Sequence, residues 1–288
     1  EDTIVGNPFS AFVFYGAPWI RAGRFSFNSD LSLGLSYTTL VHDPVQNPYN
    51  DVIASHLNLF FDFNLNVYWT LTRRIDVNAG YGITHYSNGG MHQPQKGANC
   101  WGWNFGLGYH PVPRPGRGPA FNRTPEPEFH SREELQIMYA AGTVEIQDLG
   151  EPAGVRFFTS SFTVDYTIQF HPRMAVTYGT DILYDGSLDL AIKGIEPEDV
   201  TTFQNFYFGS HLGYHFLVDR VTILFNLGTY FLQHSYDRGF WFMRAGGRIR
   251  LTDHLNTQIC IKTKNGIRSD WIEWGVAVTI PTRDHPPG

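Results

Sequence analysis

Two cysteines, Cys100 and Cys260, occur in 288 residues. That is too few for a disulfide framework or a four-cysteine zinc site. Charge is scarce as well: 21 Lys and Arg against 27 Asp and Glu leave a net −6. With no basic cluster, a nucleic-acid partner is excluded. No apolar run approaches the roughly 18 residues of a membrane helix. Gly89–Gly90 opens a hairpin loop and leads into no helix, so a phosphate loop is absent. The histidines are scattered without ligand spacing, and neither a metal nor any other cofactor is expected. Glu1–Ser10 lacks a basic start and an apolar core, so the expectation is a mature secreted chain.

What the chain does have is Phe 23, Tyr 15, Trp 7 and Gly 29, a composition suited to a large β structure. From His56 to Trp69 the odd positions are Leu57, Leu59, Phe61, Phe63, Leu65, Val67 and Trp69. The even ones include Asn58, Asp62, Asn64, Asn66 and Tyr68, with Phe60 the exception. Alternate side chains point to opposite faces of a strand. The run is about 14 residues long, against roughly 5–6 in soluble sheets. One apolar and one amide-rich face over that length suit a tilted membrane strand with a polar lumen behind it. Phe158–Phe170, Leu255–Lys264 and Trp271–Ile280 alternate in the same way. A secreted β-sandwich would alternate too, but with shorter strands and fewer aromatics at strand ends.

Counting such segments (8–16, 19–27, 30–40, 56–70, 75–87, 99–110, 133–146, 157–171, 173–184, 203–217, 221–233, 239–252, 255–265 and 269–280) predicts an all-β, transmembrane antiparallel barrel of 12–14 strands. Residues 1–288 are expected to form this single outer-membrane barrel domain. With a periplasmic amino terminus, the short turns Phe27–Asp30, Leu71–Arg74, His171–Pro172, Val218–Asp219 and Asp253–His254 fall on the periplasmic side. Longer loops fall outside, the asymmetry such barrels show. Segment 111–132 is dense in proline and aperiodic, and reads as a periplasmic excursion that could meet a protein partner. Cys100 and Cys260 share the lumen parity and read as unpaired buried thiols, a disulfide requiring that the lumen bring two strands far apart in order together. Tyr207, His211 and His215 look like lumen filling, which disfavours a pore.

The chemistry sits on the lipid-facing parity. Ile75, Val77, Ala79, Tyr81 and Ile83 lead on to His85 and Ser87. At i and i+2 of a strand the two share a face, Cα atoms about 6.6 Å apart. An imidazole can take the hydroxyl proton across that gap and activate a serine. Asn88 and the backbone of Gly89 follow, as donors for an oxyanion. In a hairpin from His85, Asn99 comes alongside and can orient the ring. Trp101 and Trp103 share its parity, as aromatics of an interfacial girdle.

Thr84–Gly97, THYSNGGMHQPQKG, resembles the signature of the PagL-type lipid A 3-O-deacylases: a His-x-Ser-Asn motif, then Gln93, Pro94 and Gly97. SHLNLFFDFNL upstream and IKTKNGIRSDWIEWGV downstream resemble the longer acyloxyacyl hydrolases of Gram-negative bacteria. The resemblance implies an outer-membrane esterase acting on lipid A, or lipopolysaccharide, of the outer leaflet without a cofactor. It implies His85 as base, Ser87 as nucleophile, and Asn88 with the Gly89 N–H as oxyanion hole. Tyr81, Lys96, Trp101 and Trp103 would meet substrate. The third triad position, a carboxylate in the compact enzymes, falls on Asn99 here. That departure leaves a second reading open: a weak or inactive relative serving as a structural subunit or lipid-binding partner of a larger assembly.

Overall fold

The computed structural model describes residues 4–94, 96–114, 129–146, 155–188, 201–234, 239–265 and 268–284. Among them are thirteen strands. The first five are β1 (Pro8–Ala22), β2 (Phe25–Thr38), β3 (Leu57–Thr70), β4 (Ile75–Ser87) and β5 (Ala98–Tyr109). Then come β6 (Arg132–Ile146), β7 (Val155–His171), β8 (Met174–Asp185), β9 (Phe206–Val218), β10 (Val221–Leu232), β11 (Trp241–Arg250), β12 (Leu255–Lys264) and β13 (Arg268–Asp284).

All described pairings are antiparallel between sequence neighbours, apart from β13 with β6, which closes a barrel. The strand total lies within the expected range, but its distribution differs. Eight strands, β6–β13, close the barrel, and β1–β5 form a five-stranded meander of their own. Contacts divide the chain into two compact units, Glu1–Asn88 with Pro94–Glu126 and Gly89–Gln93 with Pro127–Gly288.

One strand fewer than fourteen arises at the start. The expected segments 8–16, 19–27 and 30–40 are two strands, and the expected turn Phe27–Asp30 lies inside β2. The break read at Ala17–Pro18 is absent because β1 is an edge strand of its sheet. An edge strand is where a sheet tolerates a proline, and the register only slips between Pro18 and Ile20. The true turn is at Gly23, whose φ of +59° suits glycine. As a result β1 starts at the long-loop end of its sheet, not at the short-turn end as the amino-terminal expectation had it.

In the first unit the polar parity is stitched across strands. Asn66 Nδ2 donates to Asp30 at 2.6 Å, the Thr84 hydroxyl to Asp62 at 2.7 Å, and Asn104 Nδ2 to Asn64 at 2.9 Å. Phe60, the apolar exception, packs its ring 5.0 Å from Phe12 and 5.5 Å from Tyr86. Cys100 is exposed rather than buried, because β5 is the other edge of this sheet; Cys260 is buried, and both are free thiols. Of segment 111–132, residues 115–128 lie outside the described residues. Its beginning is fixed to the short-turn end of the sheet: Arg114 pairs with Asp76, and Arg73 Nε donates to the Arg114 carbonyl at 2.6 Å.

The barrel is apolar outside and polar within. Along β7, Phe158, Phe162, Tyr166, Ile168 and Phe170 are exposed, and Thr159, Ser161, Thr163, Asp165 and Thr167 are buried. Arg244 is wholly buried; its Nε meets Glu273 at 2.6 Å and its Nη1 meets Asp181 at 2.9 Å. His211 bridges Asp181 at 2.7 Å and Asp165 at 3.2 Å. Lys262 pairs with Asp270 at 2.7 Å, its ammonium 4.0 Å from the Trp271 ring centre. Tyr207, His211 and His215 are buried among these groups. A cavity of about 30 Å³ beside Gln136, His215 and Arg248 leaves room for about one water. Apolar residues outside and, among the described residues, packed and paired charge inside suit an outer-membrane β-barrel.

Candidate active site

β4 ends at Ser87 and β5 begins at Ala98, so the motif lies at the long-loop end of the first sheet. The ladder sets His85 opposite Asn99, Ile83 opposite Trp101 and Tyr81 opposite Trp103. On that frame His85 Nδ1 lies 2.7 Å from Asn99 Oδ1. An amide oxygen only accepts, so Nδ1 is the donor, and in the neutral ring Nε2 is then the nitrogen with the lone pair that a general base needs. Below the pair, the Tyr81 ring stacks on Trp101 at 6.3 Å and meets Trp103 edge-on at 5.1 Å. Trp101 and Trp103 are 65% and 72% exposed, so an aromatic strip runs down the apolar face from the His85–Asn99 pair.

Ser87 shares the parity of His85 in the ladder, opposite Leu59. It is 2% exposed, and Asn88 is 1% exposed, whereas Asn99 is open to the surroundings. The serine therefore sits at the covered end of the strand and the imidazole at its accessible flank.

Two glycine positions carry geometry that sequence reading missed. Gly97 has φ +69°, and a Cβ added there would lie 3.1 Å from His85 Cε1 and 3.2 Å from the Tyr86 carbonyl. The imidazole thus rests against a bare backbone, and a side chain at 97 would crowd it. In the second unit, Gly89 and Gly90 have φ +68° and +86°. There Gly89 packs against Ile272, and the Gly90 carbonyl accepts the Glu145 N–H at 3.0 Å. Ile272, of outward parity in β13, is buried. Paired glycines were the available signal, but their seat lies some 180 residues further along the chain.

Lys96 does not stand free for a ligand. Its ammonium pairs with the carboxylate of Asp51. Among the described residues no group of His, Cys, Asp and Glu is arranged to hold a metal.

The family described as "Lipid A 3-O-deacylase (PagL)" matches residues 10–108, which are the five-stranded sheet. The family described as "Acyloxyacyl hydrolase, C-terminal domain" matches residues 133–282, which are the closed barrel. The chain belongs to the PagL family. Membership supports lipid A deacylase activity, an ester hydrolysis, with lipid A as the implied substrate. Together with the barrel it suits an outer-membrane protein.

No curated protein matches the chain. Solved structures aligned with this PagL-family chain include the "CymD monoaromatic hydrocarbon channel", at 9% identity over 95% of this chain and 86% of that one, TM-score 0.23. Two structures of the Pseudomonas putida toluene transporter TodX align as well. One is 12% identical over 96% and 83% of the two chains, with TM-score 0.24. The other is 9% identical over 92% and 66%, with TM-score 0.22. Overlap this low says nothing about the PagL-family chain itself.

Proposed function

We propose that the chain is a Gram-negative outer-membrane esterase that removes the acyl chain ester-linked at position 3 of lipid A. His85 Nε2 takes the Ser87 hydroxyl proton as Oγ attacks the ester carbonyl. Asn88 and the Gly89 N–H receive the oxyanion. Collapse expels the sugar oxygen, which takes the proton back from His85, and the acyl group stays on Ser87. Water, deprotonated by the same imidazole, then releases the fatty acid.

The observation that carries this reading is the 2.7 Å contact of His85 Nδ1 with Asn99 Oδ1 on the apolar face. It supports a ring in the tautomer that can act as base, at a surface lipid can reach. Acyl chains of the outer leaflet lie along the membrane normal, and the Trp101–Tyr81–Trp103 strip on the apolar face of the first sheet would receive the chain below the scissile ester. Substrate then need not leave the membrane. Asn99 favours a slow enzyme, since an amide orients the imidazole without offsetting its charge. Loss of a triad carboxylate costs on the order of 10⁴ in turnover.

Labelling of the detergent-solubilised chain with a lipophilic fluorophosphonate tests the assignment. Peptide mapping is expected to find the adduct on Ser87, and His85→Ala is expected to abolish it. An adduct elsewhere, or none, would overturn the serine mechanism.

A further inference from the structure

The β2–β3 connection, residues 39–56, contains no part of the 84–97 motif, yet it is built tightly and reaches it. Asp43 Oδ1 accepts the N–H groups of Val45 and Gln46 at 2.8 and 2.7 Å, and Asn47 Nδ2 donates to the Val41 carbonyl at 2.9 Å. Asn50 is fully buried. Its Oδ1 accepts from Val52 N–H and Ile53 N–H, both at 3.2 Å, and its carbonyl accepts from His42 Nδ1 at 3.2 Å. The Ile53 carbonyl takes the His42 N–H at 2.8 Å.

This folded loop then grips the second one through the backbone. The Asp51 carbonyl accepts Lys96 N–H at 3.2 Å, and the Val52 carbonyl accepts Gly97 N–H at 3.1 Å. Gly97 in turn is the residue against which His85 Cε1 rests. A single hydrogen bond from Nδ1 to Asn99 leaves the imidazole able to swing about that bond. A fixed wall at Cε1 removes the swing.

We infer that Asn50 is a positioning residue for His85, acting through the Val52 carbonyl and Gly97 to hold the imidazole where Ser87 can use it. Lys96–Asp51 is the weaker part of the same strut. Both side chains are largely exposed, at 72% and 51%, and exposed pairs contribute little. The kinetic consequence rests on the esterase reading above; the placement of the ring does not.

The test uses the full chain in detergent micelles, with histidine ring ¹³C–¹H spectra, the His85 signal assigned by its loss in His85→Ala. Asn50→Ala is expected to shift or broaden the His85 Cε1–H signal. It is also expected to lower kcat for acyl release about 10- to 100-fold at unchanged KM, the scale of a sub-ångström to ångström misplacement. Asn50→Asp keeps an acceptor for both N–H groups and is expected to restore both readouts. An unchanged ring signal in Asn50→Ala would overturn the inference, as would a fall in kcat without a change in that signal. If the wild-type chain releases no fatty acid, the esterase reading fails and the ring signal alone decides this inference. Should Asn50→Ala fail to fold, Gly97→Ala tests the last link. Its methyl is expected to move the same signal, and an unmoved signal would again overturn the inference.

Discussion

Asn99 holds the His85 imidazole but carries no charge that would offset an imidazolium, the ion the proposed mechanism forms when Ser87 gives up its proton. Its amide oxygen sits at 2.7 Å, already the distance of a strong contact. A carboxylate of the same length in that place would keep the geometry and add the missing charge. Asn99→Asp is therefore expected to raise kcat by about 10²- to 10⁴-fold, measured as fatty acid released from lipid A micelles. No gain would show that the amide is not what limits the rate. The His85–Asn99 juxtaposition was legible in the sequence, because strand parity and hairpin pairing are both period-two rules that need no tertiary information. Gly97 and Asn50 were not. Their contacts link two loops, where spacing has no period and a glycine reads only as a turn.

At the scale of the element, the five-stranded sheet owes its order to the polar ladder as much as to its apolar face. Asp62 accepts from Thr84 of β4 at 2.7 Å and from Asn64 of its own strand. Asp62→Ala leaves both donors without their carboxylate, a cost of about 1–3 kcal/mol. It is expected to lower the urea midpoint of the sheet's unfolding without changing strand register; an unchanged midpoint would show that solvent satisfies those donors. The strands themselves were largely readable. β3, β4 and β7 begin and end close to where their alternation does, since alternation and burial are the same physical fact. β1 and β2 were misdivided because their residues do not alternate cleanly, so parity marks neither the continuation through 17–18 nor the turn at Gly23. The length of a strand is written in its own residues, but its place in the sheet is not.

For the whole molecule, the sequence marked strands such as β3, β7, β12 and β13 as half polar and half apolar, which is enough for a barrel wall. It did not fix which strands close with which. Closure of β6–β13 depends on the pairing of β13 with β6, Trp274 to Ala141 through Asp284 to Arg132, and long-range pairing leaves no local trace. The closed barrel is filled by its own charges, so planar-bilayer recordings are expected to show no steady conductance. A stable open channel would contradict the packing. Arg244 balances Glu273 and Asp181 in that interior, and Arg244→Ala leaves two buried carboxylates without it. A loss of about 3–5 kcal/mol is expected, read as a lowered temperature for the gel-shift transition of the folded barrel. Deacylation is the claim on which the functional account turns, and mass spectrometry of lipid A from cells producing the wild-type chain or Ser87→Ala tests it most directly. The account predicts lipid A short of the 3-linked acyl chain with the wild type, and fully acylated lipid A with a variant that still folds. Intact lipid A with the wild type, or equal deacylation with Ser87→Ala, would contradict it.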